Sequence, residues 1–293
     1  MISRRHFLAV LPLGVAAAAT ARNALGAAAN VKIGCQTNAW RIDPRDFSQV
    51  LGVLNKLKEL GFQGYETGFR NLQGQFGNAA AARRQLEQSG LTFFGTHIFL
   101  DQYDPQTQIA PLDLIRQVVD GAAQLGAQRL IVSGGGLTKD GKLDLAALQR
   151  KADGLNAAGR YAKSKGLQLA YHNHGPEFAA DGAEIEGLYR ATDPGLVRFV
   201  LDAGHAFRAK VDVAAFLTRH HDRLDGLHLR DFRGEQQVPL GQGEFNLKAL
   251  AAAVGKTKWD GWVLNEEERA DGSKPGEAAV APARQALRQV FGK

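Results

Sequence analysis

Short apolar runs alternate with longer amphipathic stretches along the chain from residue 31 onwards. The candidate strands are 31–37, 64–68, 91–97, 129–134, 167–173, 197–203, 224–231 and 261–267. The helix-like segments between and after them include 47–60, 79–89, 111–125, 144–165 and 276–291. Strands that alternate with helices predict parallel βαβ units, and about eight such units predict a closed (β/α)8 barrel.

Glycines stand just before four of the candidate strands, where a helix end favours a left-handed residue; they are Gly61, Gly90, Gly126 and Gly166. The alternative fold is an open doubly wound sheet, which carries a Gly-rich phosphate-binding turn after its first strand. Here the first strand leads into Thr37-Asn38-Ala39-Trp40-Arg41, and Gly134-Gly135-Gly136 lacks the required spacing. The pattern therefore predicts an α/β protein with a single (β/α)8 TIM-barrel domain over residues 28–293.

The first 27 residues have a different pattern from the rest of the chain. Arg4 and Arg5 are followed by Phe7 and Leu8, then by an apolar run over 9–19 and small residues around Ala27. This order is typical of a signal peptide, and the arginine pair indicates the twin-arginine type. The apolar run is too short and too weakly apolar to predict a membrane anchor. We therefore predict a signal peptide over residues 1–27 and a periplasmic location.

Composition adds two constraints. The chain is 44% hydrophobic and 23% charged, which is ordinary for a globular domain. Without Arg4, Arg5 and Arg22, Lys+Arg falls from 36 to 33 against 30 Asp+Glu, an excess of three, so no nucleic-acid partner is predicted. Cys35 is the only cysteine, which excludes an intrachain disulfide. Because twin-arginine export carries folded proteins, a disulfide-free chain is compatible with that route.

Titratable side chains occur at or near the carboxyl ends of six candidate strands: Glu66, His97, His172 with His174, Asp202 with His205, His228 with Asp231, and Glu266 with Glu267. Active sites of (β/α)8 barrels form at this end. Any one of these residues alone would more often be structural, but their repetition on successive strands indicates a common site. Nitrogen and oxygen donors from separate strands suit one divalent ion among Mn²⁺, Fe²⁺, Co²⁺, Ni²⁺ and Zn²⁺.

These strand ends carry a family resemblance over about residues 31–291. Its segments are Tyr171-His172-Asn173-His174 with Glu177-Phe178, Leu201-Asp202-Ala203-Gly204-His205, His228-Leu229-Arg230-Asp231, Gly241-Gln242-Gly243 and Glu266. In this order and spacing they resemble the xylose isomerase-like barrel superfamily, often described as sugar phosphate isomerases and epimerases. The resemblance implies one metal, with Asp202, His228 and Glu266 among its ligands. His172 stands at the remaining ligand position, where much of the family has a carboxylate.

The resemblance also implies roles around the metal. Glu266 and His205 are predicted to be catalytic, and Glu177 is predicted to replace the missing carboxylate as ligand or base. The predicted substrate contacts are Glu66, His97, His174, His205 and Arg233. Three aromatic side chains have two open interpretations, as walls for a sugar ring or as core packing: Trp40, Phe69 and Phe99.

The implied function is that of a metal-dependent isomerase or epimerase that acts through an enediolate on a small carbohydrate, either a sugar or a keto-sugar. Elimination from a 3-keto-glycoside is an alternative on the same scaffold. A non-catalytic sugar-binding protein is the alternative from another class. An apurinic-site endonuclease shares the barrel, but the nearly balanced charge and the export signal oppose it.

Overall fold

The computed structural model describes residues 30–269 and 271–292. Its eight parallel strands are β1 (Lys32–Gln36), β2 (Gly64–Gly68), β3 (Thr92–Ile98), β4 (Arg129–Ser133), β5 (Gln168–His172), β6 (Val197–Asp202), β7 (Leu224–Leu229) and β8 (Trp262–Asn265). Each strand pairs with its neighbours in chain order, and β8 pairs with β1, which closes the barrel. The predicted fold is confirmed, whereas the predicted signal peptide lies outside the described residues.

Helices follow the strands and cover the barrel from outside. They are α1 (Phe47–Glu59), α2 (Ala79–Gln88), α3 (Leu112–Leu125), α4 (Leu145–Ser164), α5 (Ala179–Ala191), α6 (Ala203–Arg208), α7 (Val213–His220), α8 (Leu247–Thr257) and α9 (Glu277–Phe291). The four glycines predicted at helix ends have φ between 71° and 89°. Within the described ranges, no helix is long and apolar enough to cross a membrane.

The centre of the barrel is filled by six buried side chains: Phe94, Ile131, Ala170, Val200, Trp262 and Leu264. Side chains of a strand point alternately inwards and outwards, so inward positions recur every two residues. Two residues beyond Ala170, Val200 and Leu264, the next inward positions are His172, Asp202 and Glu266. The strand period thus places three polar side chains directly above an apolar plug, at the carboxyl end of the barrel.

Asp231 organises the loop that follows β7. The loop contains a small hairpin of Asp231–Arg233 with Gln236–Val238. The Asp231 carboxylate accepts four backbone N–H bonds of 2.8–2.9 Å, from Phe232, Gly241, Gly243 and Phe245. Both oxygens are used within the loop, so Asp231 fixes the loop beside the barrel mouth and contributes no free carboxylate to the site.

Removing this carboxylate is expected to destabilise the protein. In Asp231→Ala the loop N–H groups lose a buried acceptor, and we expect the free energy of unfolding to fall by about 2–3 kcal/mol. Urea unfolding measures the change. The exposed Asp153 on α4 provides the control, and Asp153→Ala is expected to stay within about 0.5 kcal/mol of the wild type. Equal stability of the two variants would contradict the structural role of Asp231.

Candidate metal centre and substrate pocket

The predicted metal ligands meet above the plug. Ligand atoms of His172, His228 and Glu266 all lie within 4.8 Å of one another. Glu266 Oε2 is 2.9 Å from His228 Nδ1 and 3.7 Å from His172 Nε2. Asp202 lies outside this tightest group but reaches it, because its Oδ2 is 3.7 Å from His172 Nε2. All four side chains are buried, so their polar atoms depend on one another or on a bound group.

Four buried atoms of this cluster lack a hydrogen bond of acceptable geometry, and each belongs to a different predicted ligand: His172 Nε2, Asp202 Oδ2, His228 Nδ1 and Glu266 Oε2. Their charged neighbours lie 2.8–3.7 Å away without hydrogen-bond geometry, and buried polar atoms in this state are rare in folded proteins. Two imidazole nitrogens and two carboxylate oxygens form a donor set that suits a divalent transition metal. The residues present therefore fit one such ion.

Glu66 holds the far side of the His228 ring. Its Oε2 is 2.8 Å from His228 Nε2, and its Oε1 accepts a 2.8 Å bond from Gln36 Nε2. A carboxylate behind a histidine ligand fixes the orientation of the ring and its tautomer. Glu66 is predicted to contact substrate. In the structure its carboxylate instead lies next to His228 Nε2 and His97 Nδ1, on the side of these rings away from the other predicted ligands.

His97 lies between the groups that contact the two predicted histidine ligands from outside, Glu66 beside His228 and Ser133 beside His172. Its Nδ1 is 3.2 Å from Glu66 Oε1, and its Nε2 is 2.6 Å from Ser133 Oγ. Ser133 Oγ is in turn 3.4 Å from Nδ1 of His172. His97 also lines the pocket, and its contact with substrate stays a prediction. Both ring nitrogens already have neighbours, so His97 contributes mainly the carbon surface of its ring to the pocket.

The electrostatic environments of the two predicted histidine ligands, His172 and His228, shift their pKa values in opposite directions. Burial lowers the pKa of His172 well below its usual value, which favours the neutral imidazole. Burial also lowers the pKa of His228, but Glu66 and Glu266 together outweigh it and raise that pKa to about 10. The carboxylates of this cluster thus strongly favour a positive charge at the centre of the site.

Arg230 belongs to the site, although it was not among the predicted site residues. Its Nη2 is 2.8 Å from both Asp202 Oδ2 and Glu266 Oε2, and its side chain is buried. A glycine at 204 makes room for it, since a Cβ there would lie 2.1 Å from Arg230 Cγ. The strand period of two was the available signal, because Arg230 follows the inward-facing His228 by two positions.

The pocket above the cluster has two lobes. The smaller, of about 330 Å³, is lined by Asn38, Trp40, Phe69, Arg70 and Glu266, among others. The larger, of about 840 Å³, is lined by His205, Arg208, Arg230 and Phe232, among others. Phe99, His174 and Glu268 line both lobes, so the lobes share one wall. Both volumes lie in the range of small-molecule sites.

His174 and His205 both line the larger lobe. Their ring centroids are 5.2 Å apart, and His205 Nε2 lies 3.7 Å from Asp202 Oδ2. The backbone N–H of His205 donates to Asp202 Oδ1 at 2.8 Å, so the same carboxylate fixes the start of α6. Phe99 is 46% exposed, and with Trp40 and Phe69 it forms aromatic pocket wall.

Two predicted site residues do not reach the cluster. Glu177 is buried, and its oxygens accept bonds from the Tyr171 hydroxyl at 2.7 Å and from the His174 N–H at 3.1 Å. These bonds hold Glu177 in the turn that carries His174, away from the four predicted ligands. Arg233 is exposed in the hairpin, where Nη2 donates to the Gln242 carbonyl at 2.6 Å. Arg230 takes the place in the pocket that was predicted for Arg233.

Several proteins of similar sequence are named inosose dehydratases. Inosose dehydratase of Salmonella typhimurium is 30% identical over 141 residues, 41% of this chain and 46% of that protein. The chain thus matches about half the length of this relative. Inosose dehydratase of Clostridium tetani is 25% identical over 280 residues, which cover 82% of this chain and 90% of that protein.

The fold and the family of the chain are shared with known proteins. The 3-keto-D-glucoside 4-epimerase from E. coli superposes with a TM-score of 0.68 at 17% identity, covering 90% of this chain and all of that chain. At this identity the likeness shows the fold alone. The sequence profile of the family described as Xylose isomerase-like TIM barrel matches residues 54–290. The chain therefore belongs to the xylose isomerase-like TIM-barrel family.

Proposed function

We propose that this protein is a metal-dependent lyase that eliminates an oxygen substituent from a cyclic keto-sugar or keto-cyclitol. The observation that carries the proposal is the missing carboxylate on β5. His172 occupies that ligand position, and Glu177 is held by Tyr171 and His174. Epimerisation by proton removal and return from opposite faces needs a proton-transfer group on each side of the substrate. Elimination needs only one such group, which can take the proton from carbon and pass it to the leaving oxygen.

His172, Asp202, His228 and Glu266 would hold the metal. When bound, a divalent metal supplies Lewis acidity that polarises the substrate carbonyl and acidifies the adjacent C–H bond. Gln36 and Glu66 keep the His228 ring in place. The aromatic wall of Phe99 and His174, whose ring centroids are 5.6 Å apart, excludes water from one side of the substrate.

His205 is the proton-transfer group in this proposal. Its ring lines the larger lobe, and Asp202 Oδ2 lies 3.7 Å from Nε2, close enough to stabilise the imidazolium that forms. The C–H bond beside the carbonyl breaks, and its electron pair becomes the new C=C bond. The C–O bond at the next carbon breaks with its electron pair on oxygen, and His205 returns the proton to that oxygen. Atoms and charges balance without a co-reactant.

The names of the similar proteins support this substrate class. A dehydratase eliminates water, and the relatives from Salmonella and Clostridium are named inosose dehydratases. The structural neighbour from E. coli is named for a sugar that carries a keto group. Elimination and epimerisation begin with the same proton removal, so the fate of the proton separates the candidate functions.

The test uses metal-reconstituted protein with 4-nitrophenyl 3-keto-β-glucoside and with inosose, in D₂O. We expect release of 4-nitrophenol or water together with an unsaturated keto product. An isomerase or epimerase would instead incorporate deuterium and yield a saturated isomer. A sugar-binding protein would give neither product nor exchange. Accumulation of an isomer without any unsaturated product would overturn the lyase assignment.

We also propose that the protein acts outside the cytoplasm, on the basis of Arg4, Arg5 and the apolar run that follows. Replacement of both arginines by lysine is expected to leave the precursor in the cytoplasm, because the pair is the feature that indicates this export route. Cell fractionation and immunoblotting measure the distribution. Normal export of the double variant would exclude the twin-arginine route.

A further inference from the structure

Arg230 is a buried cation with one donor, Nε, that has no partner. Its Nε and Nη2 have no hydrogen bond of acceptable geometry, although Nη2 lies near two carboxylates. Nη1 is 3.4 Å from Glu268 Oε2. Arg284, also buried, instead donates through Nε and Nη2 to the Gly61 carbonyl. A buried donor without a partner is costly, so Nε of Arg230 is free to bind a ligand in the lobe that this side chain lines.

The place of Arg230 indicates where that ligand lies. The side chain lines the larger lobe together with His205, and its Nη2 is beside the oxygens of two predicted metal ligands. An oxygen of the substrate in this lobe would therefore lie between the guanidinium and the His205 ring. A guanidinium presents several N–H donors in one rigid plane and suits an oxygen that gains negative charge.

The charge balance permits Arg230 and the metal to be present together. Three buried carboxylates belong to the cluster: Glu66, Asp202 and Glu266. One guanidinium, which stays protonated in proteins, and one divalent cation together balance these three negative charges. The charges of Arg230 and a bound divalent ion are therefore compatible, and Arg230 also lines the lobe that is open to substrate.

We propose that Arg230 donates hydrogen bonds to the oxygen that leaves during elimination. This inference rests on the proposed lyase function and assigns a step within it. As the C–O bond breaks, its electron pair moves to oxygen, and Arg230 stabilises that charge until His205 delivers the proton taken from carbon. Arg230 is thus a catalytic residue that acts on the leaving group, while the ligand set acts on the carbonyl.

The test is a series of 3-keto-glucosides whose leaving alcohols range from 4-nitrophenol to methanol, assayed with Arg230→Met and Arg230→Lys. For methanol release, we expect kcat of Arg230→Met to fall by about 10²–10³-fold, the size typical of a lost oxyanion donor. For 4-nitrophenol release the loss in kcat should be much smaller, because 4-nitrophenolate is a stable anion that leaves without a hydrogen-bond donor. Arg230→Lys, which keeps the cation and the fold, should lose less than Arg230→Met but show the same trend.

Two further measurements separate the possible outcomes. Metal content after reconstitution should match the wild type in both variants, and Arg198→Met, at the opposite end of the barrel beside Asp225, should show no dependence on the leaving group. Equal losses across the series, or loss of metal, would overturn the leaving-group role. If wild-type protein releases no alcohol from any substrate, it is the lyase function that fails.

Discussion

Glu266→Gln is expected to lower turnover by about 10³-fold while the barrel remains folded. Glu266 Oε2 lies near His172, His228 and Arg230. Loss of its negative charge therefore weakens the predicted metal ligand that the whole cluster shares. A metal contributes several kcal/mol to stabilisation of developing charge, and each 1.36 kcal/mol is tenfold in rate, which gives about 10³-fold. The barrel is stabilised by its packed interior, so thermal unfolding monitored by circular dichroism should remain cooperative.

The adjacent Glu267 provides a matched control. It is buried like Glu266 but pairs with Arg269, its Oε2 being 3.1 Å from Nη2 of that residue. Metal content after dialysis should fall in Glu266→Gln and stay at the wild-type level in Glu267→Gln. Wild-type protein stripped with a chelator should lose turnover and regain it when the metal is restored. Full metal content and full activity in Glu266→Gln would exclude Glu266 as a ligand.

The barrel and the polar cluster above its centre were predictable because both depend on local periodicity. Each strand is a short apolar run, and a polar residue at its end stands at the next inward position. His172, Asp202 and Glu266 follow buried inward residues by two positions, so the strand geometry alone brings them to one face. The pairing of successive strands then brings the separate strand ends together. These steps need no knowledge of side-chain rotamers or loop conformation.

Loop residues were harder to predict because their direction depends on contacts distant from the strand pattern. Glu177 stands in a 3-10 turn, Pro176–Phe178, and the Tyr171 hydroxyl draws its carboxylate away from the pocket. Arg233 lies past Asp231, where the hairpin turns the chain outwards to Gln242. No spacing rule encodes these turns. Arg230 precedes the hairpin and still follows the strand period, which is why it faces inwards.

His205→Asn is expected to lower kcat by about 10²–10⁴-fold with metal content unchanged, the range for loss of a group that transfers a proton. Asparagine retains a polar side chain, and the backbone N–H of residue 205 can still donate to Asp202 Oδ1, so α6 should keep its start. The variant should bind substrate with KM near the wild-type value, because His174, Phe99 and Arg230 still form the lobe. Formation of the unsaturated product, followed by NMR, should be lost to the same extent as release of the leaving group. The exposed His221, whose Nδ1 contacts the Thr218 carbonyl at the far end of the barrel, supplies the control variant His221→Asn. If His205→Asn keeps elimination at the wild-type rate, another group removes the proton; if it loses the metal instead, His205 supports the predicted ligands through Asp202.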